Sequence, residues 1–231
     1  AHEINTPLTS VLTFSKLANR ILQKEPFPLD RLPELRNFAS LLNAEATRCT
    51  DIARNLLDFS RQTEIETKDI DINELLDRTL DILRHRAELN DIDIVTSYDR
   101  DIPHLFCDFK RLQQAFMNLF WNAIEAMPGG GTLKVDTSFD RRERSIRISV
   151  KDTGIGIADE NVESIFEPFF TTKAEAKGVG LGLSVAYGII RRHQGQIQVQ
   201  SNLGQGTHFI ITFHPDRCFP QQDEHDSAEN G

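Results

Sequence analysis

Between Leu35 and Phe59 a row of residues recurs with 3-4-3-4-3-4-3 spacing: Leu35, Phe38, Leu42, Glu45, Cys49, Ile52, Leu56 and Phe59. A repeat near 3.5 residues is the period of a helix lying lengthwise along another helix, and it is incompatible with a strand. Upstream, Ile4, Leu8, Val11, Ser15, Ala18 and Leu22 run 4-3-4-3-4. Between the two rows, KEPFPLDRLPE places three prolines, Pro26, Pro28 and Pro33, where a helix must stop and turn. The pattern predicts an antiparallel helical hairpin. Two helices bury little alone, so a long apolar seam predicts a second copy and a four-helix bundle from two chains. The competing arrangement is a bundle within one longer chain. The chain enters the first helix at Ala1-His2 without a cap, so an upstream continuation is expected.

Near residue 70 the grammar changes. Residues 73–89, 108–127 and 182–193 carry helical spacing, whereas 92–97, 132–138, 145–151, 196–201 and 207–213 alternate as strands. Mixed strands and helices with hairpin-like neighbours predict an α/β sandwich, so the whole chain reads as α+β. The expected divisions are a helical hairpin over 1–66, a second domain over 67–215 and a disordered acidic tail over 216–231. Charge follows these divisions. Residues 1–62 hold 8 basic and 7 acidic side chains, whereas the tail 216–231 holds 1 and 5. A net charge of −9 disfavours a nucleic-acid partner, whose footprint is a basic patch. The three cysteines lie far apart without a paired motif, which suggests a reducing compartment. No apolar run approaches the ~18–20 residues of a membrane span and no secretory signal opens the chain. A cytoplasmic location is expected, with a membrane reached only through upstream segments.

Several short motifs carry chemistry, each beside a plainer use. Gly178-Val179-Gly180-Leu181-Gly182-Leu183 precedes a helix and fits either a phosphate cradle or a flexible loop. Asp152-Thr153-Gly154-Ile155-Gly156-Ile157 follows a strand. Its carboxylate suits the exocyclic amine of a flat ring, or the motif is simply a tight turn. Asn118 and Asn122 share one face of an otherwise apolar helix. They fit either Mg²⁺ with a phosphate or an exposed polar face. Phe166-Glu167-Pro168-Phe169-Phe170-Thr171-Thr172-Lys173 reads as an aromatic loop anchor with a lysine beyond it. Gly204-Gln205-Gly206-Thr207 reads as a turn into the last strand. In His2-Glu3-Ile4-Asn5-Thr6-Pro7, a carboxylate beside an imidazole fits proton removal during attack on phosphorus, and Pro7 is expected to kink the helix.

In order and content these motifs resemble the sensor histidine kinases of two-component systems. His2–Leu8 is similar to the phosphoacceptor H box and Asn118–Met127 to the N box. Asp152–Ile157, Gly178–Leu183 and Gly204–Thr207 are similar to the three glycine boxes, and Phe166–Lys173 to the F box. The wording NAIEAM and EPFFTTK resembles the nitrogen-regulation-type subgroup. The resemblance implies a dimerisation and histidine-phosphotransfer hairpin followed by a Bergerat-type ATP-binding domain. It implies a homodimer, ATP and Mg²⁺ as cofactors, and a response-regulator receiver domain as partner.

By the same resemblance, His2 accepts the phosphoryl group with Glu3 assisting, Asn122 holds Mg²⁺ and Asn118 lines the site. Asp152 bonds the adenine amine with Thr207 supporting it. Lys173 stands near the γ-phosphate. Ala126, Gly154, Gly156, Ile157, Phe170, Thr172, Gly178, Val179, Gly180, Leu181, Gly182 and Leu183 complete the nucleotide site, with 171–182 as its lid. Thr6 occupies the position linked to dephosphorylating the partner. The chain departs from many members at Glu125, where they carry lysine, and at Thr171, where they carry a cation. Two other functions stay open: an ATPase of the same superfamily, and a nucleotide-regulated dimeric scaffold. Those ATPases place a glutamate base where Asn118 stands, so an amide there favours transfer over hydrolysis.

Overall fold

The structure, a computed structural model, describes residues 2–24, 28–60, 66–172 and 180–218, with side chains described for none of 2–6, 48 or 51–60. The chain divides into two compact units, 1–62 and 63–231.

The first unit is the helical hairpin. Helix α1 (His2–Leu22) runs through Pro7 as one element, and α2 (Leu32–Ser60) follows a single 3-10 turn at Leu29–Arg31. Pro33 sits in the first turn of α2, where its missing N–H costs nothing. Phe14 stacks on Phe38 at 6.2 Å between centroids. On α2 the expected row holds where side chains are described: Leu35, Phe38, Leu42, Glu45 and Cys49 are all half-buried. Ile52, Leu56 and Phe59 fall outside the described side chains.

The seam expected on α1 holds at Val11 and Ala18 and is corrected at Leu8, Ser15 and Leu22, while the Ile4 side chain is outside the described ones. Pro7 and Ile21 are buried with Val11, Phe14 and Ala18 half-buried between them, while Leu8, Ser15 and Leu22 are exposed. The helix carries two apolar stripes offset by one residue. The hairpin buries the one with Phe14 because that ring meets Phe38. Leu8, Leu12 and Leu22, at 45%, 60% and 57% exposure, are left on the outer stripe.

The second unit is a sheet under helices. Strands β2 (Ile92–Ser97), β4 (Gly131–Asp140), β5 (Ser145–Asp152), β6 (Gln196–Asn202) and β7 (Gly206–Phe213) stand in the order β2-β4-β5-β7-β6. Only β2 and β4 run parallel. Helices α3 (Ile72–Leu89), α4 (Phe109–Glu125) and α5 (Gly182–Arg192) supply the other layer. Strand alternation sends one set of side chains into the core: Ile146, Ile148 and Val150 from β5, and Phe209, Ile211 and Phe213 from β7. They share one core with α4, which buries Leu112, Phe116, Leu119 and Phe120 at helical spacing.

A further antiparallel pair, β1 (Thr67–Ile70) with β3 (Leu105–Asp108), escaped the sequence reading. Each strand is four residues long, too short for alternation to stand out. Its end is tied to α5 through His193, whose Nε2 accepts the Asp108 N–H at 3.1 Å while Nδ1 lies 2.8 Å from the Ile189 carbonyl. That pairing requires the neutral ring with its proton on Nδ1. Burial accordingly pushes the His193 pKa down.

The expected start of the acidic tail at 216 is also corrected. Asp216 pairs with Arg144 at 2.8 Å, and Cys218 is buried with its thiol donating to the His193 carbonyl. Asp216 and Cys218 thus belong to the folded unit, because one apolar residue in a polar stretch found a buried place. Among the described residues no helix is long and apolar enough to cross a membrane.

Candidate nucleotide-binding site

Alternation along β5 decides where Asp152 points. Ile148 and Val150 face the core, so the carboxylate two residues on goes to the same side, and it is 3% exposed. The β5–β7 register pairs Lys151 with His208, which sets Asp152 beside Thr207. Asp152 Oδ1 accepts the Gly154 N–H at 2.8 Å and the Thr207 N–H at 3.2 Å. Burial raises its pKa, opposed by the backbone N–H groups of Gly154, Thr207 and Asp152 itself. Both bonds fall on Oδ1, which leaves Oδ2 as the oxygen for a ligand's donor.

The turn after Asp152 is stitched to two other elements. The Ile155 N–H donates to the Ala126 carbonyl at 3.0 Å, just past the end of α4. A Cβ on Gly154 would stand 2.5 Å from that same oxygen, so only glycine lets the strand end pass so close. From the other side, Gly204 N–H donates to the Ile155 carbonyl at 2.7 Å and Ile157 N–H to Ser201 Oγ at 2.9 Å. Gly156 lies against Asn202. Residues 126, 152–157 and 201–207 thus form one framework around Asp152.

Asn118 and Asn122 are half-buried on α4, under the start of α5. A Cβ on Gly182 would lie 3.6 Å from Asn122 Nδ2 and 3.9 Å from Asn118 Cβ. Among the described residues no side chain caps α5. The first N–H groups of a helix have no partner within it and suit an anion, and here two amides stand beside them. The asparagines are half-buried beside the helix start, not on a fully exposed face.

The aromatic motif anchors this region. Phe166 packs on Tyr187 at 5.0 Å and on Phe209 at 6.4 Å between centroids. Phe169 N–H donates to the Gly180 carbonyl at 2.9 Å, which pins the two ends of the intervening segment together. Phe170 is half-buried, Thr172 exposed, Leu181 buried and Leu183 half-buried. Lys173, Gly178 and Val179 lie outside the described residues. His2, Glu3 and Thr6 lie on α1, with their side chains outside the described ones.

Glu125, a departure noted above, accepts the Trp121 Nε1–H at 2.9 Å, and the Arg86 guanidinium covers that indole at 4.1 Å from its centroid. Sequence reasoning missed Ser201 altogether. A serine five residues before Gly206 carries no signal until the strand pairing brings Ile157 to it. A cleft of about 390 Å³ beside Asp159 and Glu163 shares Ser201 and Asn202 with this framework but includes none of Asp152, Asn118 and Asn122.

A family described as "Histidine kinase-, DNA gyrase B-, and HSP90-like ATPase" matches residues 107–217, and "His Kinase A (phospho-acceptor) domain" matches residues 1–65. The chain is 36% identical over 214 residues to Sporulation kinase A of Bacillus subtilis (strain 168), covering 92% of this chain and 33% of that protein. It therefore spans about a third of the length of that relative. The catalytic domain of histidine kinase ThkA is similar at 31% identity and a TM-score of 0.57, over 65% of this chain and 96% of that one. ThkA solved in complex with response regulator protein TrrA is similar at 28% identity and a TM-score of 0.70, over 93% of this chain and 59% of that one.

Proposed function

This chain belongs to the histidine kinase family, and on that footing we propose that it moves the γ-phosphoryl group of ATP to His2 and on to an aspartate of a response-regulator receiver domain. One observation carries the nucleotide half of the reading: a buried carboxylate, Asp152, with two backbone donors on one oxygen and the other left for an amine. Adenine presents such an amine, while Gly154, packed against the Ala126 carbonyl, holds the turn that carries Asp152. The uncapped start of α5 receives phosphate oxygens through Gly182 and its neighbours. Lys173 adds a cation near the γ-phosphate.

At His2, an imidazole nitrogen attacks the γ-phosphorus. The N–P bond forms as the P–O bond to ADP breaks, and Glu3 takes the ring proton. Transfer of this kind depends mostly on positioning and charge neutralisation, which amides and a lysine supply. The Asn122 side-chain amide lies beside the start of α5, and its oxygen would suit a hard cation that also binds phosphate and water. A Mg²⁺ ion held by Asn122 would supply neutralisation of phosphate charge. Passage of the phosphoryl group to a receiver is supported by ThkA, a relative solved with a response regulator. Thr6 is positioned in sequence for the reverse role, dephosphorylating that partner.

The outer stripe of Leu8, Leu12 and Leu22 supports a homodimer through the hairpin. Molar mass in solution tests it, and a monomer at high concentration with the hairpin intact would overturn it. We assign the hairpin to 1–66 and the nucleotide domain from 67 onward, in the cytoplasm. The nitrogen-regulation-like wording of two motifs is offered as a finer kinship.

The test is incubation with γ-labelled ATP and Mg²⁺. Acid-labile, alkali-stable label that disappears in His2→Gln is expected. Phosphate release without labelled protein would make the chain an ATPase. Binding with neither outcome would leave a nucleotide-regulated scaffold.

A further inference from the structure

Ser201 Oγ stands at a junction of three groups. The Ile157 N–H donates to it at 2.9 Å, it lies 2.8 Å from the Gly206 carbonyl, and it lies 3.1 Å from Thr207 Oγ1. A hydroxyl has one proton and two acceptor positions. A carbonyl only accepts, so the Ser201 proton is committed to Gly206. An amide N–H only donates, so one lone pair is committed to Ile157. The one remaining capacity of Ser201 is to accept, and Thr207 must be the donor in the contact between them. Its proton is turned toward Ser201, and the Thr207 hydroxyl has only lone pairs to offer a ligand beside Asp152.

We propose that Ser201 is a positioning residue that fixes the hydrogen-bond polarity of the Thr207 hydroxyl and thereby sharpens the choice of a 6-amino purine over a 6-oxo purine. The inference rests on the reading of Asp152 as the adenine contact. With Asp152 Oδ2 and Thr207 Oγ1 both acting as acceptors, the site favours a donor at the 6-position. A 6-oxo group there meets two acceptors and goes unpaired. Without Ser201 Oγ, the Thr207 hydroxyl is free to rotate its proton toward the oxo group, and the second rejecting contact disappears. Asp152 alone then discriminates.

The experiment measures affinities of the whole chain for ATP and ITP, each with Mg²⁺, by calorimetry or competition. Ser201→Ala is expected to narrow the ATP-over-ITP preference by about three- to tenfold, mainly by improving ITP. Ser201→Thr, which keeps the oxygen, should retain the wild-type ratio. In a Thr207→Val background Ser201→Ala should not change the ratio further, since no hydroxyl remains to orient. A loss of affinity shared equally by both nucleotides would make Ser201 a structural residue only and overturn the proposal. Should Ser201→Ala fail to fold, Ser201→Cys, with a weakly accepting sulfur, carries the same comparison. Asp152→Asn separates the two levels. If it leaves ATP affinity unchanged, the adenine reading falls and the relay falls with it. If it abolishes ATP binding while Ser201→Ala leaves the ratio untouched, only the relay is wrong.

Discussion

Asp152→Asn replaces one atom at the centre of the site, and its effects on folding and on binding should differ sharply. An asparagine carbonyl in place of Oδ1 can still accept the Gly154 and Thr207 N–H groups, now 2.8 and 3.2 Å away. The change falls on Oδ2, where an amide NH₂ would confront the adenine amine, donor against donor. Losing a hydrogen bond to a charged acceptor costs about 1.5–3 kcal/mol, or roughly ten- to 150-fold in affinity. Stability should not fall with it. Burial raises the folded pKa above the ordinary 3.8, so folding favours the protonated acid. That contribution is complete below 3.8 and is lost as pH rises through the folded pKa. At neutral pH the charged group is therefore a net cost, which asparagine removes. Denaturant melts across pH and calorimetric titration with ATP read the two effects separately. In the wild type, ATP affinity should also decline as pH drops through the raised pKa, because a protonated carboxyl is a poorer acceptor. A folded Asp152→Asn chain that binds ATP within about twofold of wild type would refute the reasoning.

A glycine pair isolates close approach from backbone strain. Gly204 and Gly206 have φ of +78° and +86°, yet a Cβ meets nothing within 4 Å at the first and the Asp152 carbonyl at 2.0 Å at the second. Gly204→Ala should cost about 1–2 kcal/mol in urea melts with ATP affinity retained, while Gly206→Ala should cost more and lose ATP; equal behaviour would contradict the packing. His193, held neutral, contributes stability present above its ordinary pKa of 6.5 and lost as pH falls through its lowered folded value. Thermal melts should decline on acidification, with a shallower slope in His193→Gln. Burial pushes the Cys107 and Cys218 thiols up to about 12, so iodoacetamide should label half-buried Cys49 first in the folded chain. Equally fast labelling of either buried thiol would show that the core opens readily.

Legibility followed the range of the interactions involved. The hairpin, the long strands and α4 were readable because their periodicity lies within one element. The stripe of α1 that faces inward was not, because two stripes share the helix and only contact with Phe38 selects one. The pair β1 and β3 was missed because four-residue strands owe their pairing to a distant partner. Cys218 looked like tail until the His193 carbonyl gave it a buried acceptor.

The same division holds at the site. The amino-acid sequence by itself determined which chemical groups are available: an amine acceptor at Asp152, amide oxygens at Asn118 and Asn122, a helix start at Gly182 and an imidazole at His2. Residue type and local spacing suffice for that. Only the tertiary structure decided which oxygen of Asp152 is left for a ligand, that the asparagines lie under α5, and that Ser201 governs Thr207. Local turns supply part of this, as Gly154 does for Asp152, but the deciding partners are remote: Thr207 reaches Asp152 across 55 positions and Ile157 reaches Ser201 across 44, and only the assembled sheet brings them within ~3 Å.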